Sequence, residues 1–221
     1  MASEHPHIVI AIDGPAASGK SSVARTLARK LRYVYVNTGA MYRAITWLAI
    51  EKDVPVVDAG RVQQLLHFTD IACGVRDFES TILLDGVDPT PHLVSESVNG
   101  GVSAIASIPE VRRVLVAKQR AYASDYDVVM EGRDIGSAVF PETPYKFYID
   151  ASPEVRAQRR ARQGLQDSIA SRDKVDSTRR TSPLIIAEDA HVIDSSNLTV
   201  EGVAGEIFGR LKQKGLPLGD L

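Results

Sequence analysis

The sequence predicts an α/β fold, a five-stranded parallel sheet with helices on both faces, built around a phosphate-binding loop. Three observations predict it. Gly14-Pro15-Ala16-Ala17-Ser18-Gly19-Lys20-Ser21 fits the pattern G-x-x-x-x-G-K-[ST]. The apolar run at residues 8–12 suits a buried parallel strand, and Val23, Leu27, Ala28 and Leu31 follow at helical spacing. Apolar strands then alternate with helical stretches, the rhythm of a sheet covered on both faces.

Taken in order, the loop needs Gly14 and Gly19 so that backbone N–H groups converge on an anion at a helix N-terminus. Lys20 is placed to reach outer phosphates, and Ser21 to ligate Mg²⁺. Asp13 either orders the loop or accepts a metal-bound water. A second strand at residues 33–36 ends where Asn37 or Thr38 can cap a helix reaching about Glu51. Met41, Tyr42 and Trp47 on that helix read as core, with Tyr42 also able to line a pocket.

Residues 57–107 break the rhythm: a helix at 58–68 capped by Asp58, strands at 70–76 and 80–85, and a helix at 95–107. Antiparallel pieces inside a parallel chain predict an insertion over one end of the sheet. Pro109 opens a helix to about Ser124. A third core strand at 126–130 delivers Glu131-Gly132-Arg133-Asp134-Ile135-Gly136 to the edge that holds the phosphate loop. A fourth strand at 146–149 runs into Ser152-Pro153, a cap and first helical position. A fifth at 191–193 precedes a C-terminal helix over 199–214. The chain is read as one domain, residues 1–221: core at about 8–56, 108–155 and 185–215, insertion at about 57–107, lid at about 156–184.

Composition narrows the function class. With 221 residues, 44% hydrophobic and 24% charged, the chain can bury a substantial core, and a net charge of −2 argues against a general polyanion-binding surface. Cys73 is the single cysteine, so an internal disulfide and a multi-thiolate metal site are excluded, as suits a reducing cytoplasm. The histidines are scattered, and His5-Pro6-His7 reads as part of a mobile terminus. Neither a signal peptide nor a membrane span is expected.

Arg156, Arg159, Arg160, Arg162, Arg172, Arg179 and Arg180 concentrate between the fourth and fifth strands. Such a run alone reads as a solvated helix pair. Beside a phosphate loop it reads as a lid that neutralises developing charge and excludes water.

At these motifs the chain resembles the bacterial cytidylate kinases, within the nucleoside monophosphate kinases of the P-loop kinase class. The matching stretches are Ile12-Asp13-Gly14-Pro15 with Gly19-Lys20-Ser21-Ser22, Thr38-Gly39-Ala40-Met41-Tyr42-Arg43, Ser103, Ile108-Pro109-Glu110-Val111-Arg112, Glu131-Gly132-Arg133-Asp134-Ile135-Gly136 and Arg172-Asp173-Lys174-Val175-Asp176-Ser177-Thr178-Arg179. The resemblance implies transfer of the γ-phosphoryl group of ATP to CMP or dCMP, in pyrimidine nucleotide metabolism, with Mg²⁺, by a cytoplasmic monomer that binds neither nucleic acid nor membrane. It implies that residues 14–22 with Arg156 and Arg160 hold ATP. Thr38 and the insertion would wall the acceptor pocket; Ser103, Arg112 and Asp134 would read the cytosine edge. Arg43, Arg133 and Arg179 would hold the acceptor phosphate and the transferring group, and Arg172 and Asp176 the sugar. Lys20, Arg133 and Arg179 would carry most of the rate, with no general base.

The chain departs from the family in three places. Asn37 stands where Asp is usual, and Leu93-Val94 where Ile-Arg is common. The lid between Arg160 and Arg172 is shorter, which predicts a less complete seal over the phosphates. Competing readings are a P-loop kinase for UMP, AMP or shikimate, or a nucleotide-binding regulatory switch. The polarity of Ser103, Arg112 and Asp134 argues against shikimate, and the arginine lid argues against a switch.

Overall fold

The computed structural model describes residues 7–162 and 169–216. Residues 1–6, with His5 and Pro6 of the terminal stretch, and residues 163–168, within the shortened part of the lid, lie outside that description, as do residues 217–221.

In chain order the elements are β1 (Val9–Asp13), α1 (Lys20–Leu31), β2 (Val34–Asn37), α2 (Thr38–Glu51), α3 (Ala59–His67), β3 (Ile71–Arg76), β4 (Glu79–Leu84), α4 (Glu96–Ser107), α5 (Pro109–Asp125), β5 (Val128–Gly132), β6 (Tyr145–Asp150), α6 (Pro153–Arg162), α7 (Ile169–Thr178), β7 (His191–Asp194) and α8 (Val200–Gln213). The caps expected from sequence are made: Asn37, Asp58 and Ser152 each accept a backbone N–H from the first turn of α2, α3 and α6. Ser95 and Thr199 do the same for α4 and α8. Pro109 occupies the first turn of α5 without a side-chain cap.

The five expected strands pair in parallel in the order β2-β5-β1-β6-β7. Every residue of β1 and β5 is buried, as central strands covered on both faces require. One face packs Ile10, Ile12, Val129, Phe147 and Ile149 against α1 and α8; the other packs Ala11, Val36, Val128 and Met130 against α2, α4 and α5.

The sheet has seven strands rather than five. The antiparallel β3–β4 pair does not sit over one end of the sheet but prolongs its edge beside β2. Two bonds seat it: Tyr35 N donates to Phe78 O at 2.8 Å, and Asn37 N to Ser80 Oγ at 3.2 Å. They satisfy donors of β2 that an open edge would leave unpaired. Arg25 of α1 reinforces the seat, lying 3.0 Å from Glu79 and 4.9 Å over the Tyr35 ring. From the far side, Tyr122 of α5 donates to Gly74 O or Thr81 O.

A second feature had no local signal. After β5 the chain makes a wide turn at Ile135–Val139 with π-type bonding. Asp13 causes it: its two carboxylate oxygens accept Ile135 N and Gly136 N, both at 2.8 Å. Asp13 thus ties the end of β1 to the segment after β5 rather than to the phosphate loop it was expected to order.

The C-terminal ends of β1, β2, β5, β6 and β7 share one edge, where ligands bind in open α/β sheets. Gly14 turns the chain there so tightly that a Cβ would lie 2.1 Å from Ile149 O. That carbonyl belongs to a central strand and cannot yield. Gly14→Ala is expected to destabilise the protein by about 1–3 kcal/mol in urea unfolding and to weaken nucleotide binding; unchanged stability would show that β6 can shift.

Candidate active site

The phosphate loop reaches α1 through Gly19, whose φ of +90° favours glycine, and no side chain caps the helix. The N-terminal N–H groups of α1 are thus presented to an anion. Lys20 is buried, its Nζ donating to Pro15 O at 3.0 Å and standing 4.0 Å from Glu131 Oε2. Burial pushes its pKa from 10.5 down to about 7; Arg133, Arg43 and Arg172 push the same way, and Glu131 opposes them. Ala17 takes a left-handed φ of +60°, and Ser22 is exposed on the first turn of α1.

Glu131, at the end of β5, is a functional residue that sequence reasoning did not single out. Its buried carboxylate accepts Ser21 Oγ at 2.8 Å and Tyr35 OH at 3.4 Å. The signal was its place at the head of the Glu-Gly-Arg-Asp stretch. Among the described residues no group of three or more His, Cys, Asp or Glu could hold a metal ion. One hydroxyl backed by one carboxylate suits Mg²⁺, which keeps most of its ligands from phosphates and water.

The acceptor side starts at Thr38, whose hydroxyl donates to Glu131 O at 2.8 Å and so braces the strand. Arg43, one turn along α2, points Nε at Asn99 Oδ1 at 3.4 Å. Burial lowers its pKa to about 10, helped by Arg172 and Arg133, with a smaller push from Arg160. Asn99 also accepts Arg160 Nη2 at 3.4 Å, while its amide nitrogen donates to Val94 O and Ser95 O. Asn99 was likewise missed, since one polar residue on a helix has no sequence signature. Lys20, Arg43, Arg133, Arg160 and Arg172 thus crowd one cleft, an arrangement that suits phosphate oxygens.

Ser103, Arg112, Asp134, Arg133, Asp176 and Arg179 do come together. Arg112 pairs with Asp134, and Arg179 Nη2 lies 3.5 Å from the same carboxylate. Asp176 accepts Arg133 Nε at 3.0 Å and Ser103 Oγ at 3.3 Å. Arg112 lies 5.6 Å over the Tyr42 ring. Burial raises the Asp134 pKa against the pull of Arg112 and Arg179. In this pair, Arg112 Nε and Nη1 are buried without a hydrogen-bond partner, and the Tyr42 hydroxyl beside them lies within reach of Gln119. Buried donors without acceptors are costly, and a flat ligand bearing ring acceptors relieves them.

Two expected placements change. Arg179 points at Asp134 and gives Nε to Ser182 O at 2.7 Å, so it stands with Arg112 rather than with Lys20 at the phosphates. Arg160, expected over the donor, turns to Asn99 beside Arg43. The lid residues on the phosphate loop are Arg156, donating to Ala16 O at 3.2 Å, and Arg159, donating to Ser18 O at 3.1 Å. Arg159 also grips Ser195 after β7, through Oγ at 3.0 Å and O at 2.7 Å. Arg160 lies one turn beyond Arg156 on α6, which carries its long side chain past the loop toward the acceptor wall.

Comparison with known proteins agrees along nearly the whole chain. A family model described as "Cytidylate kinase" matches residues 10–213. A cytidylate kinase of Geobacillus thermodenitrificans is 44% identical over 212 residues, covering 91% of this chain and 95% of the relative. One from Pelotomaculum thermopropionicum is 43% identical over 215 residues, covering 91% and 95%. One from Clostridium botulinum is 39% identical over 218 residues, covering 94% and 99%.

The depressed Lys20 has a measurable consequence. Burial and the neighbouring guanidiniums hold the proton on the Lys20 amine loosely, and phosphates beside it raise its proton affinity. Binding of ATP at pH 8 is expected to take up close to one proton per site, read by calorimetry in buffers of different ionisation enthalpy. The uptake should vanish in Lys20→Met; no uptake in the unmodified protein would show that Lys20 is charged before binding.

Proposed function

The chain belongs to the cytidylate kinase family, and we propose that it transfers the γ-phosphoryl group of ATP to CMP or dCMP, giving ADP and CDP or dCDP. The observation that carries this reading is the buried Arg112–Asp134 pair with two unpartnered guanidinium nitrogens, in a chain whose phosphate loop is flanked by arginines. Cytosine offers an exocyclic amino donor beside ring and carbonyl acceptors. Asp134 supplies the acceptor for the first; Arg112, Arg179 and Ser103 supply donors for the others.

Division of labour follows from the placements. The backbone of residues 14–22 and Lys20 hold the donor phosphates. A Mg²⁺ ion carried by those phosphates would be held at Ser21 Oγ, braced by Glu131, and would neutralise negative charge on the phosphates. Arg43 and Arg133 hold the acceptor phosphate and follow charge as it moves between the two nucleotides, and Arg172 and Asp176 lie toward the sugar. Asp176 fixes the Arg133 fork by accepting its Nε. No side chain need act as general base, because a phosphate acceptor is already an oxyanion. The insertion at about 57–107 walls the acceptor pocket and the lid at about 156–184 covers the phosphates. The enzyme acts as a cytoplasmic monomer; among the described residues no helix is long and apolar enough to cross a membrane.

The deciding assay is ADP formation from ATP with CMP, dCMP, UMP, AMP or no acceptor. CMP and dCMP are expected to be turned over well above the others; a preference for UMP or AMP sinks the cytosine assignment. Asp134→Asn is expected to lower kcat/KM for CMP about 100-fold while the KM for ATP stays within about twofold. Arg179→Ala is expected to raise the KM for CMP more than it lowers kcat, as its contact with Asp134 requires. A pure kcat loss would return Arg179 to the phosphates.

A further inference from the structure

Helix α7 carries two carboxylates three residues apart that face different partners. Asp176 takes Arg133 and Ser103 on the acceptor side. Asp173 takes the phosphate loop: its Oδ1 accepts Ala16 N at 3.1 Å, and its Oδ2 pairs with Arg156 of α6. Arg156 in turn donates to Ala16 O at 3.2 Å and Ala151 O at 3.1 Å. Both ends of the alanine at the lip of the loop, N–H and C=O, are therefore held by side chains from the two lid helices. A loop whose N–H groups serve phosphates has given one of them to a carboxylate of the protein, and an arginine neutralises that carboxylate.

We propose that Asp173 is a positioning residue for phosphoryl transfer, which with Arg156 clamps the lid onto Ala16 and fixes the register in which it closes. Two features of the placement support this. The contact spans 157 residues of sequence, so it joins the lid to the loop rather than stabilising one element. Asp173 and Asp176 also lie on one rigid helix, so both contacts form together only when the donor loop and the acceptor wall reach one fixed spacing. The clamp excludes water from the donor once that spacing is reached, which makes productive transfer outrun hydrolysis. The inference rests on the kinase reading above.

The test compares the unmodified enzyme with Asp173→Ala and Asp173→Asn. The measurements are kcat, the KM for CMP, ATP hydrolysis without acceptor, and amide hydrogen exchange in α7 and α4 with ATP present. For Asp173→Ala we expect kcat to fall about tenfold, the KM for CMP to stay within about twofold, and the ratio of hydrolysis to transfer to rise about tenfold. Exchange should quicken in α7 and not in α4. Asp173→Asn should lie between, since its amide oxygen still accepts Ala16 N–H but no longer balances Arg156. Unchanged kcat and ratio in Asp173→Ala overturn the proposal. So does a parallel fall of hydrolysis and transfer with α7 exchange unaltered, or a loss confined to the KM for CMP. If instead the CMP assignment is wrong, the unmodified enzyme itself transfers nothing to CMP. The hydrolysis and exchange comparisons between variants then still read the clamp.

Discussion

Mutual repulsion among buried cations is the constraint around which this site is arranged. Lys20, Arg43, Arg133, Arg160 and Arg172 come from separate segments, and burial, reinforced by their mutual repulsion, lowers the proton affinity of Lys20 and Arg43. Such a cluster persists in a folded protein only if counter-charges are built in beside it. Glu131 and Asp176 supply them, Glu131 near Lys20 and Asp176 on Arg133. Positive charge gathered from five segments at one place is what draws in phosphates. The cost borne by the substrate-free protein thereby becomes affinity for a polyanionic substrate pair.

The same logic separates the two ends of the acceptor pocket. The phosphate end gathers cations from five segments of the chain. At the base end one carboxylate, Asp134, is shared between Arg112 and Arg179, so specificity there rests on hydrogen-bond direction as well as on charge. Arg179 belongs to the base end because its guanidinium is also held at Ser182 O, just beyond α7.

What could be read from the sequence was local. The phosphate loop, the five core strands and the caps Asn37, Asp58 and Ser152 follow from residues within a few positions of one another, and all formed where expected. What could not be read depends on partners far away in the chain. The wide turn at Ile135–Val139 owes its shape to Asp13, 122 residues earlier. The β3–β4 pair looked like a separate insertion because nothing in its own residues names β2 as a neighbour. Glu131 was hidden within a motif read for Arg133 and Asp134, Asn99 and Gln119 had no motif at all, and Arg159 was legible only as one of a run of arginines. The direction of a long side chain was the least legible property: Arg156 and Arg160 share a helical face, and only the surrounding walls decide which of them meets the loop.

Tyr35 gives the insertion hairpin a direct hold on the catalytic centre. Its backbone N–H seats the hairpin at Phe78 O, its ring lies under Arg25, and its hydroxyl reaches the carboxylate that braces Ser21. The hairpin is therefore not an interchangeable module. A chimera that exchanges residues 71–84 for those of a relative must bring a matching partner for Arg25 and preserve the Tyr35 seat. Otherwise the graft alters the geometry behind the phosphate loop while leaving every residue of the loop in place.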